Sequence, residues 1–206
     1  MNDTTRFLFD QNQKQIYQVT MVSGSDEVGR GAMAGPIVVA SVILKPNYCN
    51  PVIKDSKLLS ALKRDIIYQQ IISNCISYAI KVYDAVIVDE LNPKQTSIKG
   101  MIETINQLSI KPDLCLIDGE EVKIPNYKTL KIIKGDFKSQ SIAAASILAK
   151  VYRDRIMEEY DIKYKGYNFA KHKGYCTLEH IKQVKKLGIL SIHRQSYKPI
   201  IKLKEK

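Results

Sequence analysis

Residues 25–36 read SDEVGRGAMAGP: two adjacent acids, an arginine between two glycines, and a closing Gly-Pro turn. Before it, Met21–Asp26 reads as a strand, and after it Ile37–Leu44 (IVVASVIL) is a continuous apolar run. An apolar run without polar alternation marks a strand covered on both faces. GRGAMAGP is therefore a connection between two strands, with the acids at the end of the first. Neighbouring residues of a regular strand face opposite ways, so Asp26 and Glu27 serve one site only if the strand ends or bulges between them. Glycines 29, 31 and 35 make such a break expected, and they bare the backbone to a ligand.

Working outward, DSKLLS offers Ser60 as N-cap to a helix carrying Leu62, Ile66, Ile67 and Ile71 at helical spacing. Tyr78–Val88 reads as a third strand. From Pro93, the positions Ile98, Met101, Ile102, Ile105 and Leu108 form one helical face that ends near Lys111-Pro112. Asp113–Asp118 and Tyr127–Lys134 are short strands, each followed by glycine. Ser139–Tyr160 is the strongest helix, its AAASILAK segment small enough for close packing on a sheet. Strands first joined without helices and then alternating with them imply an α/β fold built on a mixed sheet. The expected organisation is a polar leader over 1–20, a catalytic domain over 21–160, and a basic, helical C-terminal region over 161–206 that includes a helix at Thr177–Leu187.

The chain has 206 residues, enough for one well-buried core, and a net charge of +11. Residues 162–206 carry eleven lysines and one arginine against two glutamates, so nearly all of that excess is C-terminal. Three histidines and five aromatic residues share the stretch, a mixture suited to stacking on a polyanion, although a solvated lysine-rich surface would read the same way. Four scattered cysteines form no metal or redox motif, and no apolar run approaches a membrane span. A reducing, cytoplasmic setting is expected, with no membrane association and no small-molecule cofactor.

Three acids share one architectural position. Asp26 ends the first strand, Asp118 ends a later one, and Asp136 follows the next just before the long helix. Converging strand ends would set like charges against one another, which a divalent cation with hard oxygen ligands relieves. The alternative is that each acid opens a turn.

SDEVGRGAMAGPIVVASVIL, with DSKLLS (55–60), LIDG (116–119), GDFKSQSIAAASILAKVYRDR (135–155) and KHKGYCT (171–177), closely resembles the ribonuclease HII family, the type 2 ribonucleases H. The resemblance spans roughly residues 20–200. It implies a ribonuclease H-like mixed five-stranded sheet flanked by helices, with a small helical C-terminal extension. It further implies a monomeric endoribonuclease that hydrolyses the RNA strand of RNA–DNA hybrids and cuts 5′ of single ribonucleotides in duplex DNA, as in ribonucleotide removal. Two divalent ions, Mg2+ or Mn2+, would serve the reaction, leaving 3′-hydroxyl and 5′-phosphate ends. The family's metal-binding acids map onto Asp26, Glu27, Asp118 and Asp136. Its sugar-reading motif maps onto Gly29, Arg30 and Gly31, and its stacking tyrosine onto Tyr175. Ser56, Lys57, Lys138 and Ser139 match phosphate contacts, with a helix cap or surface charge as the plain alternative. Ser25, Ala32, Phe137 and Cys176 depart from the usual pattern without removing a ligand. About 20 residues before the first acid are too few for the extra N-terminal domain of ribonuclease HIII.

Overall fold

The computed structural model describes residues 4–53 and 60–205. Ser56 and Lys57 lie outside the described residues. Five strands form one mixed sheet in the order β3-β2-β1-β4-β5. They are β1 (Val22–Val28), β2 (Ile37–Leu44), β3 (Cys75–Tyr83), β4 (Leu114–Asp118) and β5 (Lys128–Ile132). β1–β2 and β2–β3 are antiparallel, while β1–β4 and β4–β5 are parallel.

Side-chain alternation along these strands feeds two cores. On one face Val38, Ala40 and Val42 meet Ile67 and Ile71 of α2 (Ala61–Ser73) and the small-residue face of α6 (Gln140–Lys163) around Ala143, Ala144 and Ile147. On the other, Ile37, Val39, Cys115 and Ile117 pack on Met101 and Ile105 of α4 (Pro93–Gln107). Each fully buried aliphatic side chain contributes about 1.5–3 kcal/mol. Gly24 lets α6 ride directly on β1, because a Cβ there would lie 2.1 Å from the Ser141 carbonyl carbon. Ser25, buried among apolar neighbours, is satisfied by a 2.7 Å hydrogen bond with Ser41, whose hydroxyl bonds Thr104 of α4 at 2.7 Å.

One sequence expectation is corrected. The apolar run AVIV reads as strand, yet only Cys75–Tyr83 pairs with β2, and residues 85–91 form a helix, α3 (Ala85–Leu91). Asp84 decides this by accepting a hydrogen bond from Ile87 N at 3.0 Å, which nucleates a turn where β-branched side chains alone favour extension. The polar leader contains a helix that the sequence reading does not assign, α1 (Thr5–Tyr17), docked on the start of α6 through Asp10, whose carboxylate accepts from Ser141 N and Oγ, both at 2.8 Å.

The C-terminal residues fold as α7 (Phe169–His172), α8 (Leu178–Leu187) and α9 (Lys198–Lys204). Phe169, Tyr167, Val184 and Ile200 bury against Met33 and Ala34 of the glycine connection and Met157 of α6. This third core joins the C-terminal helices to the β1–β2 connection.

Candidate active site

Register brings the acids to one sheet edge. Ser25 pairs with Ile117 across the parallel β1–β4 ladder, so Asp26 and Asp118 are the next residues of adjacent strands and face the same side, towards α6. Strands in a ladder lie about 4.8 Å apart. Asp26 is 5% exposed. Burial, then the charges of Glu27 and Asp118, push its carboxyl well above the usual aspartate range. Gly135 N donates to Asp118 Oδ1 at 2.6 Å, which ties β4 to α5 (Gly135–Lys138) and sets the buried Asp136 one residue further on.

Glu27 arrives differently than expected. The β1–β2 pairing continues without a bulge through Glu27↔Val39 and Val28↔Val38, so no break separates the two acids. Alternation turns Glu27 away from Asp26. At the sheet edge its charge still acts on Asp26, and that of Asp118 acts on it, so the two acids reach one edge without the bulge expected from the sequence. Glu27 there meets Arg30, whose Nη1 lies 3.3 Å from Glu27 Oε1 and 2.9 Å from Glu120 Oε1. Burial raises the Glu27 pKa against the lowering pull of Arg30, and Asp118 and Glu120 add to the rise. Among the described residues, no three His, Cys, Asp or Glu side chains already form an ion-coordinating cluster. Glu27 is turned onto Arg30 and Asp118 onto an amide. The donor set is nonetheless all hard carboxylate oxygen under mutual repulsion, the chemistry that suits Mg2+ or Mn2+.

The glycine connection is held by arginines on its buried side. Arg153 of α6, fully buried, donates from Nε to Pro36 O at 2.9 Å and from Nη2 to Ala34 O at 3.2 Å. Arg194, also fully buried, donates to Gly35 O from Nε and Nη2 at 3.1 and 2.9 Å, and from Nη1 to Arg30 O at 3.0 Å. Asp89 of α3 locks the segment after Arg194 by accepting from Gln195 N at 2.6 Å and Ser196 N at 3.0 Å. Gly29 adopts φ +98°, and a Cβ there would lie 2.4 Å from Arg153 Nε, so its smallness admits the arginine. Gly31 opens instead onto space, with nothing within 4 Å of the point a Cβ would occupy, which leaves the backbone bare as the sequence suggests.

Tyr175 is half-buried beside this connection. Its backbone bridges Ala32, and the Arg153 guanidinium lies 5.3 Å from its ring centre. Three histidines support it from beneath rather than joining a stacking surface. Leu190 N donates to His193 Nδ1 at 2.9 Å, so His193 carries its proton on Nε2 and gives it to His180 Nε2 at 3.2 Å. His180 then holds its own proton on Nδ1 and donates to Tyr175 O at 3.0 Å. Burial pulls both His180 and His193 down to about 4, so the relay is neutral at physiological pH. Phe169 and Tyr167 stack on each other inside the same core. The aromatic and histidine richness of the C-terminal stretch is therefore largely interior.

Of the remaining candidates, Lys138 is exposed beside Asp136. Ser139 is fully buried and caps α6, accepting from Ile142 N at 3.2 Å. Arg153, Arg194, Asp89, Asp10 and Glu120 carry no motif of their own. Arg153 directly follows the largely apolar AAASILAKVY run, and a cation on the buried side of such a helix needs a buried partner.

The ribonuclease HII family model matches residues 23–200. A Mycoplasma mycoides ribonuclease HII is 56% identical over 97% of each chain. The ribonuclease H2 of Pyrococcus horikoshii superposes with a TM-score of 0.79 at 24% identity, covering 90% of this chain and 98% of its own. The Archaeoglobus fulgidus ribonuclease HII, solved in complex with PCNA, gives 0.77 at 26% identity with the same coverage. The chain belongs to the ribonuclease HII family, metal-dependent endoribonucleases that act on the RNA of RNA–DNA hybrids.

Proposed function

We propose that the protein cuts the RNA strand of RNA–DNA hybrids and the 5′ side of single ribonucleotides in duplex DNA, using Asp26, Glu27, Asp118 and Asp136 to hold two divalent ions. The observation that carries this reading is the pairing of Asp26 and Asp118 at neighbouring parallel strand ends, with Asp26 pushed up by burial and by its acidic neighbours. When bound, Mg2+ or Mn2+ supplies activation of the attacking water and stabilisation of the leaving oxygen, giving 3′-hydroxyl and 5′-phosphate ends.

The chain's own residues do the recognising. The 2′-hydroxyl separates RNA from DNA, and the connection through Gly29, Arg30 and Gly31, fixed from behind by Arg153 and Arg194, offers rigid backbone groups to read it. Tyr175, with its carbonyl anchored by His180, stacks on the sugar of the following deoxynucleotide. Lys138, with Ser56 and Lys57, contacts phosphates, while the buried Ser139 serves by capping the helix behind Asp136. The C-terminal lysines extend the duplex-binding surface of a monomer. Four free cysteines fit a reducing, cytoplasmic setting.

Asp118→Asn tests the assignment. Cleavage of a duplex carrying one ribonucleotide should fall by at least about a hundredfold, while binding of that duplex, measured by fluorescence anisotropy, stays within about threefold. Full Mg2+-dependent cleavage by the variant would refute the role of Asp118. Loss of binding with cleavage would point instead to a misfolded edge.

A further inference from the structure

Glu120 stands outside the four-acid set, yet its carboxylate is the nearer of the two that hold Arg30, at 2.9 Å against 3.3 Å for Glu27. Both carboxylates are largely buried, with side chains 12% and 14% exposed, whereas Arg30 is 34% exposed. Glu120 is fixed in place: its N–H donates to Asp118 O at 2.7 Å, and Lys94 Nζ lies 3.6 Å from its Oε2. The Arg30 backbone is fixed as well, since Arg194 Nη1 and Tyr197 Oη both donate to its carbonyl. Only the guanidinium has to move between the two acceptors.

We propose that Glu120 is a positioning residue that receives Arg30 when a divalent cation claims Glu27, and that it thereby sets the metal affinity of the site. The proposal rests on the four-acid reading above. A guanidinium and a dication compete for the same Glu27 oxygens and repel each other. With Glu120 present, Arg30 leaves Glu27 for a carboxylate it already touches. Without Glu120, the whole guanidinium charge falls on Glu27 before the ion arrives and is left unpaired beside the ion afterwards. Both consequences weaken metal binding, so the sign does not depend on which is larger. Arg30 also stays at the sheet edge, next to Gly29 and Gly31, rather than swinging into solvent.

The experiment is calorimetric titration of Mn2+ into the full chain, without nucleic acid, for wild type, Glu120→Gln, Arg30→Ala and the double variant, with circular dichroism in chelator to establish equal folding. Glu120→Gln should bind Mn2+ about tenfold more weakly, in the range expected when an outer carboxylate partner is lost. With Arg30 already removed, Glu120→Gln should cost no more than about twofold, because the two substitutions act through one contact. Equal affinity of wild type and Glu120→Gln overturns the proposal. So does an undiminished tenfold loss in the Arg30→Ala background, which would assign Glu120 to the ion's own surroundings. A wild type that binds no Mn2+, or binding indifferent to Asp118→Asn, overturns the four-acid reading itself and this inference with it.

Discussion

Arg153 shows how one side chain can link a helix to a recognition loop. Its planar fork reaches two carbonyls, Pro36 O and Ala34 O, and its face lies by Tyr175. Burial lowers its pKa to about 10, so it stays a cation at neutral pH, and its Nη1 has no hydrogen-bond partner among the described residues. That combination is costly, and the site keeps it because no other described residue spans both carbonyls. Arg153→Lys puts the effect in measurable form. An ammonium is a point donor and cannot bond two carbonyls in fork geometry, so one buried C=O is left unpaired at a cost of about 1–3 kcal/mol. Urea unfolding should show a loss of about that size, and kcat/KM on a single-ribonucleotide duplex should fall as Gly29 and Tyr175 lose their shared support. Unchanged stability with unchanged kcat/KM would make the two carbonyl contacts dispensable.

At the scale of elements, α1 and the relay of α7–α8 histidines both act from outside the reacting edge. Arg6 of α1 donates from Nε to the Asp136 carbonyl at 3.1 Å, and Asp10 sits under the first turn of α6. Burial raises Asp10 to about 6 from 3.8, against the lowering effect of its bonds to Ser139 and Ser141. Because the folded pKa lies above the unfolded one, the protonated acid is the form the fold prefers. Its stabilisation is complete below pH 3.8 and is lost as pH rises through about 6, an amount on the order of 3 kcal/mol. In chelator, the Tm of wild type should therefore fall more steeply between pH 4 and 7 than that of Asp10→Asn. Parallel Tm profiles would remove Asp10 as the cause. Elements of this kind are where the sequence is least legible. β1, β2, β4, α4 and α6 announce themselves by apolar runs and periodicity, and Asp26, Asp118 and Asp136 by their places at strand ends. α1 has a weak apolar stripe and is docked largely by polar contacts from Arg6 and Asp10, α3 is decided by one Asp84 cap against the propensity of AVIV, and Glu120 gains its place only when the β4 turn carries it to Arg30.

Across the whole molecule, charge and core interleave in the C-terminal helices. The single C-terminal arginine, Arg194, is fully buried and structural, and Lys171 and Lys173 pair with Glu179 and Glu158. Of the C-terminal lysines outside those pairs, Lys182, Lys185, Lys186, Lys198 and Lys202 are exposed on α8 and α9, and three of them line an open groove between the two helices. Removing residues after Asp161 would strip Phe169, Val184 and Ile200 from Met33 and Met157, so it would unfold the glycine connection along with the binding surface. Neutralising the charge in place separates the two. With Lys182, Lys185, Lys198 and Lys202 changed to Gln, duplex affinity should fall. The slope of log affinity against log salt should also shrink, by about 0.9 for each lysine that neutralises a phosphate. Mg2+-free binding titrations over a range of KCl concentrations measure that slope directly. An unaltered slope with an intact fold would move the nucleic-acid path off α8 and α9 and onto the lysines flanking the acidic edge, Lys138 foremost.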